Sequence, residues 1–228
     1  MQCDHNGVLR TVADIAHPDH TALVIVDVQN DFVDGDGYAA RSGSVMEPIH
    51  AAVPVVNAAI ETCRRYHVPI VYVRQIVSPD TVLPNFLARF QSPAECPVRV
   101  GTWGAEFYAQ LTPPRSCDLL VEKPCYDGFQ DTALDVALRA RRIHTCLYAG
   151  FDSNVCVEAT ARHGFVLGYY SVLLSDAAAG DSPAEHTACV SRWRSYLGPV
   201  VACAELEAAW VLSGRTGSRG GVGAAEGA

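Results

Sequence analysis

The chain reads as an α/β protein in which helices cover both faces of one parallel β-sheet. Three features carry that reading. Short, uninterrupted apolar runs recur along the chain, and segments of helical periodicity stand between them. Hydrophobic residues make up 49% of the sequence and charged ones 18%, enough to bury a sizeable core. Continuous runs, unlike alternating ones, suit parallel strands covered on both sides, and strand–helix alternation implies right-handed crossovers.

In chain order, the first strand is expected at residues 22–26 (ALVIV) and a helix at 48–66. That helix has its apolar positions at Ile49, Val53, Val56, Ala59, Ile60 and Cys63. Strands follow at 68–73 (VPIVYV) and 118–121, a helix at 132–141, and a strand at 143–149. The second half continues with a helix at 154–167, a strand at 169–174, a helix at 183–196, a strand at 199–202 and a helix at 204–212. Several of these helices open on Asp, Ser or Asn, residues that cap free backbone N–H groups. Two stretches fall outside the alternation: residues 31–46, rich in Gly and Asp, and residues 78–104, with prolines at 79, 84, 93 and 97. Both follow a strand's carboxyl end, where open α/β sheets bind ligands, so each is a candidate substrate loop or subunit-contact arm. Residues 1–212 are expected to form a single domain. The Gly/Ala-rich stretch 213–228 has no periodicity and is expected to be disordered.

The balance of 17 Lys+Arg against 25 Asp+Glu gives a net charge of −8. An acidic chain without a basic face is a poor nucleic-acid binder. No run approaches the ~18 apolar residues of a membrane span, and residues 1–14 lack a basic segment followed by an apolar core. The expectation is a cytoplasmic protein. Its nine cysteines show no C-x-x-C pair, so neither a zinc ribbon nor a thioredoxin-type motif is present. Most read as small buried hydrophobes of a reducing compartment.

Three residues stand out by position, because each sits at or just beyond a strand's carboxyl end: Asp27 after ALVIV, Lys123 after DLLVE, and Cys156 after the strand that ends near Gly150. Each also has a plain structural explanation, as a turn cap, a solvated lysine or a packed thiol. Their surroundings are more specific. TALVIVDVQNDF around Asp27, EKPCYDGFQDTALDVAL around Lys123 and GFDSNVCVEATARHGFVLGYYSVLLSDA around Cys156 resemble, in order and spacing, the isochorismatase-like cysteine hydrolases. The resemblance runs from about Thr21 to Leu212. It implies a doubly wound, Rossmann-like sheet of about six parallel strands and a triad of Asp27, Lys123 and Cys156. It also implies a cis peptide at Phe151–Asp152 and an oxyanion hole made by the backbone N–H groups of Asp152 and Cys156.

The chemistry such a triad supports follows from ordinary thiol behaviour. A thiol of pKa ~8.5 is mostly protonated at neutral pH. Near the amino end of a helix, the dipole favours its thiolate. Asp27 can take the thiol proton, Lys123 can hold that carboxylate, and the sulfur can attack a carbonyl carbon. The turn before the nucleophile departs from the family's pattern of a small residue followed by Thr, reading Asp152-Ser153 instead. Asp152 either points away from the site or accepts hydrogen bonds from a substrate N–H.

The residues also bear on the branch. Isochorismatases that cleave a vinyl ether lack the cysteine, and nicotinamidases carry a metal site with an Asp-x-His pattern. RQIVSPDTVLPNF occupies that region here, with no histidine between His67 and His144, so no metal and no cofactor are expected. The segments around Lys123 and Cys156, with DGDGY after Asp27 and GTWG, are most similar to the ureidoacrylate amidohydrolases. The resemblance therefore implies a small ureido or carbamoyl substrate and a homo-oligomer. Maleamate, biuret, an N-carbamoyl amino acid or another small amide is the alternative, and a catalytically silent binding subunit is an alternative of another class. Candidate substrate-binding residues are Asn30, Tyr38, Arg74, Trp103 and Tyr126. Arg74 reads equally as a surface arginine, and the two aromatics at 103 and 126 equally as packing residues.

Overall fold

The computed structural model describes residues 7–212. The expected disordered stretch 213–228 lies outside the described residues. Six strands form one sheet: β1 (Thr21–Val26), β2 (Ile70–Gln75), β3 (Leu119–Lys123), β4 (Thr145–Gly150), β5 (Tyr170–Ala178) and β6 (Val200–Val201). Their order is β3-β2-β1-β4-β5-β6 and every pairing is parallel. The sheet is thus doubly wound, and its order reverses between β1 and β4, the crevice where such sheets receive ligands.

Strand alternation separates two cores. Leu23 and Ile25 of β1 face the Met46–Arg65 and Cys203–Leu212 helices, where Val53, Val56, Ile60 and Trp210 are buried. Ala22, Val24 and Val26 face the other layer, formed by the Leu134–Ala140, Glu158–Val166 and Pro183–Tyr196 helices with Leu134, Leu138, Ala161 and Trp193. The Pro183–Tyr196 helix starts as its sequence suggests. Ser182 Oγ accepts from the Glu185 N–H at 3.3 Å, and Pro183 takes the first position, where its missing N–H costs nothing.

Three details differ from the expectation. Only the central strands are covered on both faces. β3 is an edge strand, and Leu120 is 51% exposed. β5 continues past residue 174 to Ala178. The two irregular stretches carry short helical turns at Asn30–Val33, Tyr38–Arg41, Pro84–Leu87, Pro93–Glu95 and Trp103–Ala105. Buried Asp31 ties them together, its carboxylate accepting the N–H of Tyr38 at 3.2 Å and of Val98 at 2.7 Å.

Candidate active site

Asp27 is the first residue beyond β1 and takes a left-handed backbone conformation (φ 54°), which Asp tolerates better than most side chains. Its neighbour across the reversal point is Gly150 at the end of β4. Gly150 has φ 108°, and a Cβ there would lie 2.0 Å from the Val26 carbonyl oxygen, so only glycine lets the two strand ends close. Lys123 comes from further away. It ends β3 opposite Gln75 of β2, and its long side chain passes the end of β2 to reach Asp27. The ammonium lies 2.8 Å from Asp27 Oδ2 and donates to the carbonyls of Cys125 at 2.8 Å and Tyr126 at 2.9 Å. Three oxygens thus lie within 2.9 Å of an ammonium with no exposed surface. Gln29 fixes the end of β2 beneath it, donating to the carbonyls of Gln75 and Ala105 and accepting from the Gln75 N–H, each at 2.8 Å.

Cys156 is presented by the turn that follows β4. The Phe151–Asp152 peptide is cis. Ser153–Val157 then forms a π-helical turn, in which the Val157 N–H donates to the Asp152 carbonyl at 3.1 Å, before the Glu158–Val166 α-helix begins. Wide turns of this kind recur at functional sites. This one is anchored on all sides. Ser153 Oγ and His186 Nδ1 are 3.0 Å apart, the Cys189 thiol donates to the Ser153 carbonyl at 3.1 Å, and the Ser153 N–H donates to the Ala179 carbonyl at 2.8 Å. One turn further on, the Glu158 carboxylate is gripped by Arg162 at 2.6 Å and Arg192 at 2.8 Å, linking the helix after Cys156 to the Pro183–Tyr196 helix.

The structure therefore brings Asp27, Lys123 and Cys156 together, and all three are buried. Asp27, Lys123 and Cys156 are close enough for each to shift the others' pKa. Burial raises the Asp27 pKa, and Lys123 pulls it part of the way back. Burial works against the Lys123 ammonium, but the Asp27 and Cys156 charges outweigh it and hold its pKa above the ordinary value. Burial also pushes the Cys156 thiol well up, and Asp27 adds to this against the attraction of Lys123. The helix-terminus argument for a resting thiolate is thus overridden. Lys123 supplies one positive charge, so the buried trio accommodates one negative charge, on Asp27 or on Cys156, and not two.

A cavity of about 460 Å³ opens onto Cys156, a volume suited to a small molecule. Its walls include Tyr38, Gln75, Arg89, Tyr126, Asp152 and Asp181. Both irregular stretches contribute to it, through Phe32 to Ser44 and through Phe86 to Pro97. Of the candidate substrate-binding residues, Tyr38 and Tyr126 line it and three do not. The Asn30 amide donates to the Trp103 carbonyl at 2.8 Å and positions a loop. Arg74 faces Glu122 across the strand pair and is bound to it at 3.0 and 2.5 Å, so it is not the carboxylate clamp that its place at a strand end suggested. Trp103 is 52% exposed beside a separate depression. Two charged cavity residues went unread in the sequence. Asp181 follows the end of β5, a position that could have marked it. Arg89 sits in the proline-rich loop over the rings of Phe90 and Tyr126, where no periodicity points to it. Asp152 faces inward and lines the cavity, and its Oδ1 is buried with no hydrogen-bond partner among the described residues. Burial, then the charges of Asp181 and Asp27, push its carboxyl up to about 8. Among the described residues, no three His, Cys, Asp or Glu side chains gather as a metal site would require.

Residues 21–205 match the isochorismatase domain family. A ureidoacrylate amidohydrolase, RutB, of Acinetobacter baylyi is 33% identical over 196 residues, covering 79% of this chain and 80% of its own. Among solved structures, a cysteine hydrolase from Pseudomonas syringae pv. phaseolicola superposes with a TM-score of 0.77 at 26% identity, covering 86% of this chain and 95% of that one. N-carbamoylsarcosine amidase from Thermoplasma acidophilum gives 0.65 at 28% identity, covering 80% and 96%. The fold, the family match over most of the chain and these relatives agree: the chain belongs to the isochorismatase domain family and is a hydrolase.

Proposed function

We propose that this protein is a cysteine amidohydrolase that cleaves a C–N bond of a small ureido or carbamoyl compound through a covalent thioester. The observation that carries the reading is the buried 2.8 Å contact between Lys123 and Asp27 beside the Cys156 thiol, at the mouth of a small-molecule cavity. The relatives' names point the same way.

In this reading the S–H proton passes to Asp27 as the sulfur attacks the carbonyl carbon. Negative charge moves from carboxylate to sulfur and on to the carbonyl oxygen, while Lys123 balances it throughout. The backbone N–H groups of Asp152 and Cys156 are assigned to that oxygen. Asp27 returns the proton to the leaving nitrogen, the C–N bond breaks, and an amine departs from a carbamoyl thioester. Water, deprotonated by Asp27, then attacks the thioester carbon and regenerates the thiol. A ureido substrate would yield an amine or enamine and carbamate, which decays to ammonia and carbon dioxide.

The test is ammonia release from ureidoacrylate, biuret, N-carbamoyl amino acids, maleamate and nicotinamide, with Cys156→Ala as blank. Turnover of a ureido compound by the wild type alone, undiminished by EDTA, is the expected result. Turnover retained in Cys156→Ala would overturn the assignment of the nucleophile.

A further inference from the structure

The acidic wall of the cavity has no partner in the mechanism above. Asp152 sits four residues before the nucleophile and lines the same cavity, with Oδ1 buried and unpaired. The side chain beside it is another acid. Asp181 lines the cavity too, acts on the Asp152 carboxyl through its charge, and is fixed by the Ser44 hydroxyl at 3.1 Å from its Oδ1. Among the described residues, neither carboxyl has an ion-pair partner. The nearby ammonium, Lys123, is held by the Asp27 carboxylate and two carbonyls, and Arg89, also on the cavity wall, lies over the rings of Phe90 and Tyr126 and forms no ion pair with Asp152 or Asp181. A buried acceptor without a donor costs free energy that a substrate N–H can recover, and a second carboxyl beside it makes a cationic donor the better fit. Burial first, and then the neighbouring acids, hold the Asp152 carboxyl above the usual carboxylate range, so it keeps a proton that a positive charge can replace.

We propose that Asp152 and Asp181 are specificity-determining residues that receive a cationic nitrogen group on the substrate's tail, selecting positively charged ureides or carbamoyl compounds over carboxylate-bearing ones. This rests on the amidohydrolase reading. It refines that reading by separating this chain's substrate from ureidoacrylate, whose tail is an anion.

Three ureides with the same scissile group and tails of similar length make the test: 1-(2-aminoethyl)urea as the cation, propylurea as the neutral control and 3-ureidopropionate as the anion. The wild type is expected to favour the cation over the anion by at least tenfold in kcat/KM, with most of the difference in KM. In Asp152→Ala and Asp181→Asn the cation-to-neutral ratio should fall about tenfold. Because the ratio is taken within one protein preparation, partial misfolding cancels. A wild type that turns over 3-ureidopropionate as well as the cation, or ratios unmoved in both variants, would overturn this inference while leaving the amidohydrolase reading intact. Failure of every ureide and every plain amide to turn over or acylate Cys156 would overturn the reading, and this inference with it.

Discussion

Charge is rationed at the level of single residues. The Lys123–Asp27 pair is fully buried, with each partner neutralising the other. Removing one member of such a pair strands the other and typically costs about 3–5 kcal/mol. Lys123→Met should therefore lower the melting temperature sharply, and Asp27→Asn in the same chain should restore much of it. Calorimetry of the two single variants and the double one gives the coupling directly, and additive losses would contradict a tight pair. Asp152 gives a pH signature of opposite sense to an ordinary salt-bridged carboxylate. Its pKa is raised from 3.8 to about 8 in the folded protein, so the folded state holds a proton that the unfolded chain has lost. Its contribution to stability is therefore full below the ordinary carboxylate value and is lost as pH rises through about 8. Asp152→Asn should unfold at a higher temperature than the wild type near pH 8.5, and the gap should narrow steadily as the pH falls toward 5. Thermal scans across that range check it, and a gap that widens toward acid would contradict it.

Positioning belongs to the secondary-structure elements. Asp27 and Cys156 hang from the ends of β1 and β4, and the approach of those ends depends on Gly150, where a Cβ would meet the Val26 carbonyl oxygen at 2.0 Å. Gly150→Ala must push the strands apart or unfold the reversal point. It should cost about 3 kcal/mol or more and lower turnover together with stability, as denaturant titration would show. A neutral substitution would mean that strand closure does not set the site.

This is also the scale at which the sequence was most and least informative. The central strands and the long helices were visible because burial on both faces, or on one face, imposes its own periodicity. The edge position of β3 was not, since an apolar run at residues 118–121 looks the same whether its outer neighbour is a strand or solvent. Arg74 failed as a clamp for a related reason: its Glu122 partner lies 48 residues away and is brought opposite only by the β2–β3 register. The π-helical turn at Ser153–Val157 has no composition cue. The meeting of Asp27, Lys123 and Cys156 was legible because each has a short, position-specific context at a strand end. Asp181 and Arg89 lie in loops whose course depends on the whole assembly.

Over the whole molecule, the doubly wound order gathers chemistry that the chain scatters. Residues 27, 123 and 156 come from three different strand ends and converge only because β1 and β4 meet at the reversal point and Lys123 is long enough to pass β2. The two irregular stretches, tied by Asp31, roof that point and leave one cavity above the thiol. In the proposed reaction one negative charge moves from Asp27 to Cys156 and out to a covalent intermediate. The most direct measurement is intact-protein and peptide mass spectrometry of acid-quenched enzyme during turnover of a ureide. The expected result is a carbamoyl group on the peptide containing Cys156, absent from Cys156→Ala and from protein quenched without substrate. Turnover with no adduct on Cys156 at any time, or an adduct on another residue, would contradict the account.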